Sequence, residues 1–386
     1  MKIYNINNID LKDSIDFTLT KFSTFAKILI KMNSTDIQLD ITKTKASKID
    51  QVDFSNLQFG KVNADHMMYC DYIDGEWQTP KIVPYGPMEF EPSAKVFHYG
   101  QAVFEGMKAF KDESGQVWLF RPEQNFERIN KSSKRLAIPE FPKHYFFNSL
   151  KTLLELDKDW VKYGDGTSLY IRPFVIATEN GVSASESDRY RFMIITCPAQ
   201  AYYNKPIKVI FAQEYSRAAD GGVGYAKAAG NYGAQFYPTK LAKAKGLDQI
   251  IWTDASSHEY LEEAGTMNIF FRIGDRLLTA PTNDRILDGV TRKSIIQLAK
   301  DEGVEVTVEK VSVKEIVQAA KNGELKEIFG AGTAATVVRV DGFEYDDKYY
   351  DLPSIEDSYG VRFKKSLQDI QYNRVEDPHN WTMKAF

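Results

Sequence analysis

Apolar positions along this chain recur with two different periods. Short runs rich in β-branched and aromatic residues, "QVWLFRP" (116–122), "SLYIRPFVIAT" (168–178), "RFMIITCP" (191–198), "IKVIFAQ" (207–213), "QIIWTD" (249–254) and "TMNIFF" (266–271), have the length and composition of buried strands. Two stretches have a helical period instead. In "PEQNFERINKSSKRLAI", Phe126, Ile129, Leu136 and Ile138 follow Pro122, a residue suited to a helix start. In "LDGVTRKSIIQLAKDEG", Val290, Ile295, Leu298 and Ala299 share one face, and Gly303 supplies a stop. A further helix is expected near Tyr237 to Lys245, and the tail from Tyr345 reads as polar and aromatic. The mixture is α+β. A polar, Pro-containing stretch, "AYYNKP" (201–206), separates the strand ending near Pro198 from the next one, and an interdomain connection is expected there. The length of 386 residues suits two domains, 32–200 and 207–386, preceded by an extension, 1–31.

Composition narrows the chemistry. Lys and Arg total 49 against 53 Asp and Glu, a net charge of −4, so neither a nucleic-acid-binding face nor a basic membrane patch is indicated. Small molecules are the expected partners. Cys70 and Cys197 match no zinc or redox spacing, and the five histidines form no metal-binding cluster. No metal is therefore expected, and the cysteine usage fits a reducing, cytoplasmic compartment. "FTLTKFSTFAKILIKM" from Phe17 is mildly amphipathic and basic like a targeting segment, but Lys21 and Lys27 interrupt it and no run is long enough to span a bilayer. Met32 offers an alternative start.

The stretch "GGVGYAKAAGNYGAQF" (221–236) sets a single ammonium, Lys227, among glycines and alanines. Such a lysine is either an exposed loop residue or a desolvated amine kept for covalent chemistry with a carbonyl. It is not a Walker A lysine, since Ala226 precedes it and Ala228 follows it. "GAGTAA" (330–335) fits GxGxxA, yet "TVVRVDGFEYDD" after it reads as a strand where a dinucleotide site needs a helix. Gly289, Val290 and Thr291 stand at a helix N-terminus, which offers free N–H groups to an anion or is an ordinary cap. In "EYLEEAGTMNIFF", alternation turns one of Glu262 and Glu263 inward, where it needs a partner, unless both are solvated turn residues. A reactive amine, a phosphate-ready helix end, a Gly-Thr loop and a buried acid are together what pyridoxal 5′-phosphate requires. Arg217 is a candidate for its phosphate and Tyr232 for its phenolic oxygen.

From "FGKVNADHM" to "DIQYNRVEDPHNW" the chain resembles the branched-chain amino acid aminotransferases of fold type IV, in their longer form. "HYGQAVFEGMKAF", "LFRPEQNFERI", "LYIRPF", "GGVGYAKAAGNYG", "EEAGTMNIFF", "LDGVTRKS" and "FGAGTAATV" occur in that family's order. The resemblance implies a D-amino-acid-aminotransferase-like fold, a smaller N-terminal α+β domain and a larger one with a β-barrel-like core. It implies that Lys227 forms the Schiff base with pyridoxal 5′-phosphate and shuttles the Cα proton, with Glu263 on the pyridinium nitrogen and Tyr232 on O3′. Arg128, Arg217, Val290, Thr291 and Thr333 would hold the phosphate, and Thr266 would contact the ring region. Phe59, Tyr99, Phe104, Tyr170 and Tyr232 would form the side-chain pocket, with Arg172, Thr333 and Ala334 on the α-carboxylate. The implied reaction passes an amino group between L-leucine, L-isoleucine or L-valine and 2-oxoglutarate, in a homodimer. Ala335 and Val338 stand where mammalian members carry a CxxC pair, so no thiol switch is implied there.

Overall fold

A computed structural model describes residues 38–200 and 205–386. The expected N-terminal extension and part of the expected connection, residues 201–204, lie outside the described residues. Two sheets organise the rest, each of ten strands.

The first sheet is centred on a long antiparallel pair, Ser168–Ala177 with Tyr190–Ala199. These are the runs "SLYIRPFVIAT" and "RFMIITCP", and both are almost wholly buried because helices and further strands cover them. The helix Lys143–Leu156 places Phe146, Leu150, Leu153 and Leu154 in the core, where Phe141 stacks on Phe192 at 3.7 Å between ring centroids. Pro122 begins the helix Pro122–Arg135, which buries Phe126 and Ile129 as its period requires. The last strand of the chain, Thr382–Lys384, returns to pair with Val117–Phe120 at the edge of this first sheet.

The second sheet closes on itself. Met267–Ile273 pairs with Leu325–Gly332, which pairs with Thr336–Tyr345, then Ile207–Phe211, Gln249–Thr253 and Tyr260–Ala264, and the last of these pairs with Met267–Ile273 again. The ring is a six-stranded barrel, filled by Val209, Phe211, Ile251, Ile269, Phe271, Ile328, Val340 and Phe343 among others. Closure leaves none of the six as a free edge. "GAG" (330–332) belongs to one barrel strand and Thr336 opens the next, so "GAGTAA" is a hairpin tip and not a strand-to-helix phosphate loop. The tail forms a helix, Tyr359–Gln371, that buries Tyr359, Phe363, Leu367 and Ile370. No helix among the described residues is long and apolar enough to cross a membrane.

Candidate active site

A cavity of about 650 Å³ is lined by residues of both sheets and of the segments between them. It gathers Phe59, Phe104, Arg128, Tyr170 and Arg172 from the first half of the chain. Arg217, Lys227, Tyr232, Glu263, Thr266, Val290, Thr291, Thr333 and Ala334 reach it from the second half. Tyr99 does not line it: the residue ends the helix Lys95–Tyr99, is 44% exposed, and donates its hydroxyl to the Val182 carbonyl.

Lys227 sits just before the short helix Ala229–Gly233, which carries Tyr232. Its amine lies 2.8 Å from the Tyr232 hydroxyl and 4.7 Å from the centre of the Phe104 ring. Of the small neighbours, Gly224, Ala226 and Ala228 are buried beside a partly buried amine, and the exposed-loop reading fails.

Glu262 and Glu263 are both buried, on the strand Tyr260–Ala264. Alternation still sends them to opposite sides, but both sides of this barrel strand are covered, so each carboxylate takes its own arginine. Glu262 pairs with Arg285 and Glu263 with Arg217, whose Nη2 stands 2.6 Å from Glu263 Oε1. Asn268 Nδ2 donates to Glu263 Oε2 at 3.0 Å, and the Leu287 N–H reaches both oxygens at 3.2 and 3.3 Å. Burial pushes the Glu263 carboxyl above the ordinary glutamate value, against the pull of Arg217 and the Leu287 N–H. Every one of its hydrogen bonds is accepted, as suits the ionised form. Arg217, expected on a phosphate, thus has one nitrogen committed to this carboxylate, while its buried Nε has no hydrogen-bond partner among the described residues.

Arg128 is buried and not a surface ion-pair residue. Its Nε and Nη2 donate to Glu105 at 2.6 and 3.0 Å, and its Nη1 to the Asp288 carbonyl at 2.9 Å. Against the burial that would raise it, the Arg128 charge holds the Glu105 carboxyl below the usual range. The Asp288 contact ties Arg128 to the start of the helix Val290–Asp301, whose first N–H groups have no intrahelical acceptor. At Gly289, the residue before that helix, a Cβ would stand 1.9 Å from Asn268 Oδ1, so any side chain there would displace Asn268. The Glu263 partner and the helix end are in this way packed against each other.

Tyr170 and Arg172 alternate onto one face of their strand, and Arg172 Nη2 donates to the Tyr170 hydroxyl at 3.1 Å. The Arg172 guanidinium lies 4.7 Å from the Phe104 ring centre, and its buried Nε has no hydrogen-bond partner among the described residues. Tyr170 meets Phe59 edge-on at 4.9 Å, giving an apolar wall with one cation in it.

These groups suit pyridoxal 5′-phosphate: an amine at one wall, an ionised carboxylate among donors at another, and open N–H groups with Arg128 beside them. The comparisons with known proteins agree. A family model described as amino-transferase class IV matches residues 102–343. Branched-chain-amino-acid aminotransferase 2 of Bacillus subtilis is 42% identical over 362 residues, which cover 92% of this chain and 98% of that protein. The chain belongs to the class IV aminotransferases, in their branched-chain-amino-acid group. A branched-chain-amino-acid aminotransferase of Mycolicibacterium smegmatis is 39% identical, covering 91% of this chain and 99% of its own length. The fold of the family is present as well. A branched-chain amino acid aminotransferase structure from Thermobaculum terrenum superposes with a TM-score of 0.70 at 19% identity, over 84% of this chain and 99% of that one.

Sequence reading of this aminotransferase missed Glu105, Ser132 and Lys108. Lys108 had the same signal as Lys227, a lone cation in an apolar run, "GMKAF". It is buried, and its amine donates to the Ala334 carbonyl at 3.2 Å, at the hairpin tip where Thr336 takes a left-handed φ of 58°. Burial pushes the Lys108 pKa down to about 8, with Lys364 adding to the effect. Between that value and the ordinary 10.5, the unfolded chain holds a proton that the folded chain has released. Stability rises with pH across that window, and below it the cost of the buried charge is present in full. Replacing Lys108 with Met in protein free of cofactor is therefore expected to raise the melting temperature at pH 7. The gain, about 3 kcal/mol from the 10.5-to-8 displacement, should fade as calorimetry is repeated up to about pH 10.

Proposed function

We propose that this aminotransferase passes the amino group of L-leucine, L-isoleucine or L-valine to 2-oxoglutarate, giving the branched 2-oxo acid and L-glutamate. The observation that carries the reading is the Lys227 amine, 2.8 Å from Tyr232 in the cavity that also holds the buried Glu263 carboxylate. The relatives named above are branched-chain-amino-acid aminotransferases over nearly their whole length, which supports the same substrates here.

Bound in this cavity, pyridoxal 5′-phosphate supplies an aldehyde that joins amines and a ring that accepts the electron pair left when a Cα proton departs. The residues do the rest. Lys227 would offer the amine to that aldehyde and, with the amino acid bound, would be the base that takes the proton from Cα and delivers it to the cofactor's C4′. Tyr232 keeps that amine within hydrogen-bond reach and faces the cofactor's phenolic oxygen. Glu263 would be the carboxylate for the ring nitrogen and would keep it protonated. Arg128, the Val290 and Thr291 N–H groups and Thr333 hold the phosphate, with Thr266 against the ring.

Phe59, Phe104 and Tyr170 receive the branched side chain, while Arg172 and the Thr333–Ala334 backbone take carboxylates. An aromatic wall with one guanidinium suits both an apolar side chain and the second carboxylate of glutamate. The protein acts as a homodimer in the cytoplasm. The exposure of Tyr99 alongside Phe97 and Val182, 62% and 67% exposed, supports a second copy covering that face.

Purified protein given the cofactor, L-leucine and 2-oxoglutarate should form 4-methyl-2-oxopentanoate and L-glutamate in equal amounts, measured by chromatography. Formation of pyruvate from D-alanine without any product from L-leucine would overturn the assignment.

A further inference from the structure

A lysine side chain is long, so where its amine comes to rest depends on how firmly its main chain is fixed. Lys227 is fixed from two directions. On one side is the strand Ala102–Phe104: the Phe104 N–H donates to the Lys227 carbonyl at 3.0 Å, and Val103 bridges to Ala228. On the other is the helix Pro122–Arg135, where Ser132 Oγ accepts the Lys227 N–H at 2.9 Å. The same hydroxyl donates to the Arg128 carbonyl, one turn back, at 2.8 Å. Ser132 is 1% exposed.

A serine inside a helix commonly bonds the carbonyl four residues earlier, and that contact satisfies its hydrogen. Here its oxygen lone pair is also used, by a residue 95 positions away in sequence. One hydroxyl thereby connects the main chain of the reactive lysine to the helical turn that presents Arg128.

We propose that Ser132 is a positioning residue: it fixes the Lys227 backbone at a set distance from Arg128, so that the amine meets a cofactor's aldehyde while its phosphate is held at the other end of the cavity. This rests on the functional reading above. Replacing Ser132 with Ala leaves the Lys227 N–H without its acceptor, a loss of stability that the better helix propensity of alanine offsets only in part, and Lys227 loses its tether.

The test compares two ligands that share ring and phosphate. Pyridoxal 5′-phosphate carries the aldehyde that Lys227 captures, whereas pyridoxamine 5′-phosphate cannot be captured. Dissociation constants for both are measured by fluorescence titration of the cofactor-free protein, with the visible band of the lysine-bound form followed against pH. Ser132→Ala is expected to weaken pyridoxal 5′-phosphate about tenfold, to shift the pH at which its band changes, and to leave pyridoxamine 5′-phosphate within about twofold of wild type. Ser132→Thr retains a hydroxyl able to reach the carbonyl one turn back and should keep the wild-type ratio of the two constants. An unchanged ratio in Ser132→Ala, whether both affinities fall together or neither falls, overturns the proposal. Failure of the wild-type protein itself to form the visible band would instead overturn the functional reading.

Discussion

Lys227→Ala is expected to abolish amino transfer from L-leucine to 2-oxoglutarate, lowering the initial rate by at least about 10⁴-fold, because one side chain is asked to supply both the covalent partner and the base. The cavity offers no substitute among the described residues. Lys108, a buried lysine near the hairpin tip, turns its amine to the Ala334 carbonyl and is not among the residues that line the cavity. The fold should survive the change. Lys227 makes no ion pair among the described residues, its side chain is tied by the single bond to Tyr232, and its main-chain contacts with Ser132 and Phe104 do not depend on the side chain. A circular dichroism spectrum like wild type, with loss of the visible band, would place the defect in chemistry. Small primary amines such as methylamine fit the space left by the side chain and should restore a measurable fraction of proton transfer. Turnover within tenfold of wild type would mean that the amine in this cavity is not the reactive group.

How far the sequence foretold this site depends on how local each signal is. Lys227 was legible as a lone ammonium among small residues, with an exposed loop still open as its explanation, and the barrel strands because "IKVIF", "QIIWT" and "MNIFF" are mostly apolar. Closure of the barrel was not legible from periodicity: parallel pairing of Ile207–Phe211 with both Gln249–Thr253 and Thr336–Tyr345 joins segments far apart in the chain. The helix Tyr359–Gln371 does have an inward stripe, Tyr359, Phe363, Leu367 and Ile370, but Arg362, Lys364, Lys365 and Asp369 between them make the segment read as a polar tail. Glu262 and Glu263 show the limit of the alternation argument. It separates two neighbours correctly onto opposite faces, yet says nothing of whether one face or both are covered. Glu105 and Ser132 act through partners 23 and 95 residues away, so no window of sequence contains their reason for being there.

Glu263→Gln is the substitution expected to damage both stability and rate. The native carboxylate pairs with the Arg217 cation and accepts from the Asn268 amide and the Leu287 N–H, so every group facing it is a cation or a donor. A glutamine keeps one acceptor but brings an NH₂ group into that ring, so one oxygen site becomes donor against donor. It also leaves Arg217, buried at 5% side-chain exposure, without its counter-charge. Breaking a buried pair from one side costs roughly 3–5 kcal/mol, which chemical denaturation would read directly. The rate should fall by about 10²–10³, the order seen when one preorganised electrostatic group is removed, because a neutral amide cannot hold the ring nitrogen protonated. The two losses have different remedies. Adding Arg217→Met removes the unpaired charge and should recover part of the lost stability, less the hydrogen bonds that Arg217 gives to the Gly224 and Arg285 carbonyls. It cannot recover the rate, since the carboxylate is still missing. If the double variant regained activity together with stability, Glu263 would be a structural counter-ion for Arg217 and the ring nitrogen would need another partner.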